Sequence, residues 1–204
     1  MPRPAIQRKA ARPTSARQRE RYDRILRVVR KLTIANGEDA VQMAEVAQAA
    51  DVALNTLYRY FPSKSHLYAA LLSAEMQQFA SGFPARSVAT DAEAAANVMD
   101  LLGSAGDALL TRPRLAKAVM NASIASPAGA SEVSVTADEV FEETLLRAMG
   151  VEDPTPQDRR MAYLIMVSWS GVLSAVVNER LPVGEFRPMV EFAVERFVGA
   201  RSTR

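Results

Sequence analysis

The 204-residue chain contains no cysteine and one histidine. Without thiols there are no disulfides and no thiolate metal sites, a usage that suits a reducing cytoplasm. With His66 as the one histidine, a zinc site on paired histidines lacks its parts, and nothing in the spacing marks a nucleophile–base arrangement. Nine scattered glycines form no phosphate-cradling loop. Adjacent acids such as Glu142 and Glu143 read most simply as solvated helix surface. An enzyme is not expected, nor a cofactor or a metal. Strand signals are missing, because β-branched residues occur singly or inside helical patterns, and no internal repeat is present. The longest apolar stretch, Met161 to Val177, is interrupted by Ser168, Ser170 and Ser174 and is short for a bilayer, which needs about 20 residues. The basic N-terminus lacks the apolar core of a secretory signal. A cytoplasmic protein with no membrane partner is expected.

What remains is helical spacing almost throughout. Tyr22, Ile25, Leu26, Val29, Leu32 and Thr33 share one face of a helix over about 15–35, which Asn36-Gly37 ends. Two short helices follow, then a longer one at about 64–80 with Leu67, Leu71, Leu72 and Met76 in its stripe. Ser81-Gly82-Phe83-Pro84 breaks it, and 83–90 reads as a loop. Further helices are expected at about 91–111, 113–125, 131–149, 155–180 and 184–200, punctuated by Pro113, the 126–129 loop, Gly150, Pro154, Pro156, Pro182 and Gly184. The length allows one large or two small domains with a sizeable core.

Residues 43–62, MAEVAQAADVALNTLYRYFP, carry the most information. Val46, Ala50, Val52, Leu57 and Tyr60 are spaced to close the interior of two short helices crossing at a turn, with small Ala47 at the crossing. This is helix-turn-helix spacing, and the second helix, Leu54 to Tyr60, would present its outer face to a DNA major groove. Pro62 stops that helix, Ser63 is a good N-cap for the next, and Lys64 in its first turn suits a nearby phosphate. An ordinary helical hairpin shares part of the pattern.

Charge favours the same end. Residues 1–31 hold eleven Lys or Arg against Glu20 and Asp23, a local +9, and the remainder holds fourteen basic against twenty-one acidic residues, −7. A basic end on an acidic body fits a polyanion-binding arm. Residues 1–14, with three prolines and no apolar periodicity, read as a flexible arm. Such an arm can enter a minor groove or merely solubilise, and both readings stand.

Residues 20–67, above all Ala50-Asp51-Val52 and Thr56-Leu57-Tyr58-Arg59-Tyr60-Phe61-Pro62-Ser63-Lys64, resemble the N-terminal domain of TetR-family transcriptional repressors. Together with Ala40-Val41-Gln42-Met43, they are similar to an actinobacterial branch containing repressors of sterol and cholesterol catabolism. The resemblance covers about 50 residues strongly, then length, helicity and the region around Trp169. It implies an all-α fold of about nine helices: a flexible arm at 1–14, a helix-turn-helix domain at 15–63, and a ligand-binding and dimerisation bundle at 64–204. Four departures from the common pattern alter contacts. Gln42 replaces a capping Ser or Thr, Asp51 replaces the turn glycine, Ala53 replaces Ser, and Leu54-Asn55 replaces Lys-Gly. Gln42, Met43, Asn55, Thr56, Tyr58, Arg59, Tyr60 and Lys64 are the expected DNA contacts, with Asn55 well placed for an adenine edge.

Beyond residue 90, Met99, Leu102, Leu109, Leu115, Met120, Ile124, Phe141, Leu145 and Met166 are large, mobile apolar groups spread over several helices. Packed fully they are core; packed loosely they line an adaptable cavity. The resemblance implies the cavity, whose expected lining also includes Trp169, although that residue reads more simply as packing. It also implies a C2 homodimer on the last two helices, which the small and apolar residues of 168–176 and 188–198 suit. The expected function is a repressor of double-stranded operator DNA released by a small apolar effector, acyl-CoA or steroid-like. A ligand carrier or scaffold without DNA binding, and a regulator responding to fatty acids or drugs, are the alternatives.

Overall fold

The computed structural model describes residues 10–84, 86–125 and 132–199, and the side chains within them except those of 123–125 and 132–136. Among the described residues there are nine α-helices and no strand. They are α1 (Ala16–Asn36), α2 (Met43–Ala49), α3 (Leu54–Tyr60), α4 (Lys64–Gly82), α5 (Asp91–Leu110), α6 (Pro113–Ala125), α7 (Glu132–Ala148), α8 (Pro156–Val177) and α9 (Phe186–Val198). The all-α expectation holds, with most helix ends within a few residues of the sequence reading.

Local chemistry sets those ends. Ser15 Oγ accepts from Gln18 N–H at the start of α1, and Gly37, at φ 83°, closes it by donating to the Thr33 carbonyl. Thr90 with Glu93, and Thr155 with Asp158, form reciprocal capping boxes on α5 and α8. Two boundaries differ from expectation. Helix α4 continues through Ser81 and Gly82 and stops only at Phe83, which is held extended ahead of Pro84. Helix α8 ends at Val177, because Glu179 turns left-handed (φ 59°) and Arg180 N–H folds back to the Ala175 carbonyl.

Helix α4 is the hub of the chain. Leu67 to Ser73 are buried without interruption, and the helix packs against α1, α6 and α7. Inside its joint with α1, the Thr33 and Tyr68 hydroxyls meet at 2.8 Å. Helices α5 and α9 approach closely where α5 carries Gly103 and Gly106. A Cβ at Gly106 would lie 2.1 Å from Phe186 Cζ, so any larger residue there forces the buried Phe186 ring to shift. Buried Trp169 donates its Nε1–H to the Leu102 carbonyl (3.0 Å) and stacks obliquely on Phe141 at 5.2 Å.

Candidate nucleic-acid interface

The turn between α2 and α3 is built from backbone. Ala50 N–H bonds Val46 O, Asp51 N–H bonds Gln48 O, and Val52 N–H bonds Ala47 O, all at 2.9–3.1 Å. Asp51 sits at φ 50°, the left-handed position expected where the common pattern has glycine. Arg24 of α1 clamps the turn from behind, its Nε donating to Ala50 O at 2.9 Å. Val46, Ala47, Ala50 and Leu57 are buried, and Val52 packs against them, as the spacing requires. Neither Gln42 nor Ala53 supplies a side-chain cap, so the N-termini of α2 and α3 leave backbone N–H groups open to outside acceptors.

Helix α3 divides cleanly between inside and outside. Leu57 and Tyr60 point inward, while Asn55, Tyr58 and Arg59 are exposed at i, i+3 and i+4 on the outer face, with Thr56 half-buried beside them. At the entry to α2, Gln42 is exposed and Met43 is half-buried against the core. Lys64, half-buried, opens α4, where Ser63 Oγ caps His66 N–H and meets His66 Nδ1 at 2.8 Å.

Tyr60 is a correction. Only 2% exposed, it stands edge-on to Tyr22 with centroids 5.7 Å apart, and the Arg59 guanidinium covers its ring at 5.2 Å. It therefore anchors α3 and offers nothing to a phosphate. Burial, reinforced by Asp23, pushes the Tyr22 hydroxyl pKa up to about 12, against the pull of Arg12.

Sequence reasoning treated the α1 arginines only as summed charge. Arg17, Arg21 and Arg24, with Thr56 and the helix-turn-helix turn, line a polar cleft of about 460 Å³ that also holds Glu20 and Asp51. Their spacing of four and three along a helix was the available signal. The expected arm, 1–14, is described only in part. Residues 1–9 lie outside the described residues, but Ala11 N–H donates to Arg59 O at 2.9 Å, satisfying a carbonyl in the last turn of α3, and Thr14 bonds Gln18 Oε1. Residues 10–14 thus dock on the helix-turn-helix unit.

At the other end, Tyr163, Leu164 and Val167 of α8, Val183, and Met189 and Phe192 of α9 are all exposed large apolar groups. Gly171 lies on this face with open space where a Cβ would point. Such a patch marks a contact surface.

Residues 25–71 match the family described as bacterial regulatory proteins, tetR family, and residues 91–197 match tetracyclin repressor-like, C-terminal domain. The chain belongs to the TetR family of transcriptional regulators. It is 31% identical over 185 residues to the HTH-type transcriptional repressor KstR of Mycobacterium tuberculosis, covering 91% of this chain and 84% of that one. To the KstR of Rhodococcus jostii it is 33% identical over 193 residues, covering 94% and 89%. A crystal structure of a TetR transcriptional regulator from Rhodococcus sp. RHA1 superposes with a TM-score of 0.82 at 30% identity, covering 91% and 98%. As a TetR-family repressor the chain binds operator DNA, dimerises and answers to a small-molecule effector; it is not an enzyme.

The expected effector residues fall into separate places. Met120, Phe141, Met166 and Trp169 line a partly open recess of only about 30 Å³, room for about one water. Leu102 and Leu145 are fully buried core, and Met99 faces a cleft shared with α9. Leu109 and Leu115 border a different cleft, next to α1 and α4. The Ile124 side chain lies outside the described residues.

Proposed function

We propose that this TetR-family repressor holds a near-palindromic operator as a C2 dimer and is released by an apolar, acid- or thioester-bearing metabolite. The observation that carries the operator half is the outward face of α3, where Asn55, Tyr58 and Arg59 are exposed while Leu57 and Tyr60 fix the helix. Asn55 and Arg59 read base edges; Tyr58 and Lys64 hold phosphates, with Thr56, Gln42 and Met43 alongside. The α1 arginines add to the phosphate grip. Dimerisation runs through the exposed apolar faces of α8 and α9.

Effector identity rests on the resemblance to sterol-catabolism repressors, with a steroid-derived acyl-CoA as the leading class. Such a ligand must favour a conformation in which the two recognition helices are misspaced, since equal affinity for both states shifts nothing. Helix α4 is the lever, running from the DNA face at Lys64 to Met76 beside the small recess at Trp169. A thermal-shift screen of steroid and fatty acyl-CoA esters, repeated with operator DNA, tests this reading. At least one ester should raise the melting temperature of the free protein and lower its DNA affinity. A screen in which no ester does both removes the effector reading.

A further inference from the structure

A cleft of about 440 Å³ opens where α1, α4, α5 and α6 meet, within the roughly 300–1,000 Å³ typical of small-molecule sites. Met76, Phe79, Phe83, Leu109 and Leu115 make its apolar walls. Room exists because α5 turns small residues toward it, Ser104, Ala105 and Ala108. The charges at its rim do not cancel. Arg86 and Asp100 satisfy each other at 2.6 Å. Arg30 Nε lies 2.8 Å from Glu75 Oε1, an ion pair by distance, yet its N–H is misaligned and this buried atom has no hydrogen-bond partner. Arg112 touches no carboxylate of the described residues and acts on Glu75 only at longer range. Three arginines thus face two carboxylates, which leaves Arg112 without a close acidic partner among the described residues and Arg30 Nε without a hydrogen bond.

We propose that this cleft receives the effector, an apolar body bearing one anionic group, with the anion between Arg112 and Arg30 and the body over Phe79, Leu109 and Leu115. This rests on the effector reading above and gives it a place and a charge. The place has a consequence for DNA. Arg30 belongs to α1, which clamps the helix-turn-helix turn through Arg24, whereas Glu75 belongs to α4. An anion that takes Arg30 competes with Glu75, so occupancy exchanges an α1–α4 tie for a ligand contact. Met76 lines both this cleft and the recess beside Met120, Phe141, Met166 and Trp169, so a flexible side chain lies where the two come together. The anion can be the carboxylate of a free acid or a phosphate of a coenzyme thioester.

The test uses the full chain and two dyes alike but for a sulfonate, 1-anilinonaphthalene-8-sulfonate and N-phenyl-1-naphthylamine. Ala108 is exposed, so Ala108→Trp fills the cleft without disturbing the core; an unchanged thermal melt verifies this. Affinity for both dyes should then fall about tenfold or more, whereas Arg112→Gln should weaken the sulfonate roughly tenfold and the neutral dye hardly at all. Arg112→Lys should restore most of the loss. Undiminished sulfonate binding by a normally melting Ala108→Trp protein overturns the site, as does equal loss of both dyes in Arg112→Gln. Cholate and palmitoyl-CoA as competitors tell a carboxylate from a phosphate-bearing head, and displacement by neither overturns the anion assignment. Thioester-driven DNA release that persists in Ala108→Trp sinks this site and leaves the effector reading intact. Dye results as expected with no thioester ever releasing DNA uphold the site and sink that reading.

Discussion

Helices α4 and α8 are similar in length and rich in apolar residues, yet they dispose of their surface in opposite ways. In α4 every residue from Leu67 to Ser73 is buried against α1, α6 and α7. In α8 only Ala162, Ile165, Trp169, Leu173 and Val176 are buried, a stripe of three- and four-residue steps, and the helix packs against α5, α6, α7 and α9. Its other face leaves Tyr163 57% and Leu164 48% exposed, and Phe192 of α9 continues the patch at 60%. By length and mean hydropathy (1.5 over eighteen residues) α8 would pass for a membrane span. One face is packed into the chain's own bundle; in a family that dimerises, the other is the face we propose for a second copy. Composition alone does not distinguish a buried joint, an interface and a bilayer segment; the partition of exposure around the helix does.

Mutations can separate the two cases. Leu71→Ala, inside the α4 joint, should cost about 3–4 kcal/mol of stability by urea denaturation. That loss should be the same at low and high protein concentration, because no second copy is involved. Leu164→Glu with Phe192→Glu should instead weaken the dimer at least about 100-fold, roughly 3 kcal/mol, by burying unpaired charge in the interface. Sedimentation would read this as a shift to monomer with little loss of helix content; an unmoved dimer would place the interface elsewhere. Gly106→Ala forces a methyl onto Phe186 on the inner side of α9 and should cost about 2 kcal/mol. A neutral result would mean that α9 is loosely held on both sides, removing the contrast. Smallest are the changes on DNA. Asn55→Ala should relax discrimination at one base by about 1–2 kcal/mol, and Lys64→Ala should weaken all duplexes alike while flattening the salt slope by about one unit.

Helix content and the helix-turn-helix were legible because they depend on local spacing, as with Val46, Ala50 and Leu57. Asp51 is placed at the left-handed turn by the resemblance, since it stands where the family's common pattern has glycine. Tyr60 shows the limit. Its position as both a core residue and the last outer hydroxyl of α3 fitted two roles, and only the ring of Tyr22 from α1 decides for the core. Contacts distant in sequence were equally invisible: nothing near Gly106 announces Phe186, and nothing near Glu75 announces Arg30. The apolar stripe of the body is legible as apolar, but whether it encloses space is set by side chains from several helices at once. The α1 arginines are legible by their helical spacing, whereas a net charge says nothing of where along the helix they lie.

The central claim is that α8 and α9 fix the distance between two recognition helices, and operator spacing tests it most directly. The protein should first be used to select its palindromic duplex from random sequence, and affinity then measured after inserting five base pairs, about half a helical turn, between the half-sites. A fixed dimer places its recognition helices one turn apart, roughly 34–36 Å, or a multiple of it. The inserted duplex should therefore bind at least about 100-fold more weakly than the parent. Equal affinity for both duplexes would contradict the account, because it would mean that each recognition helix finds its half-site independently.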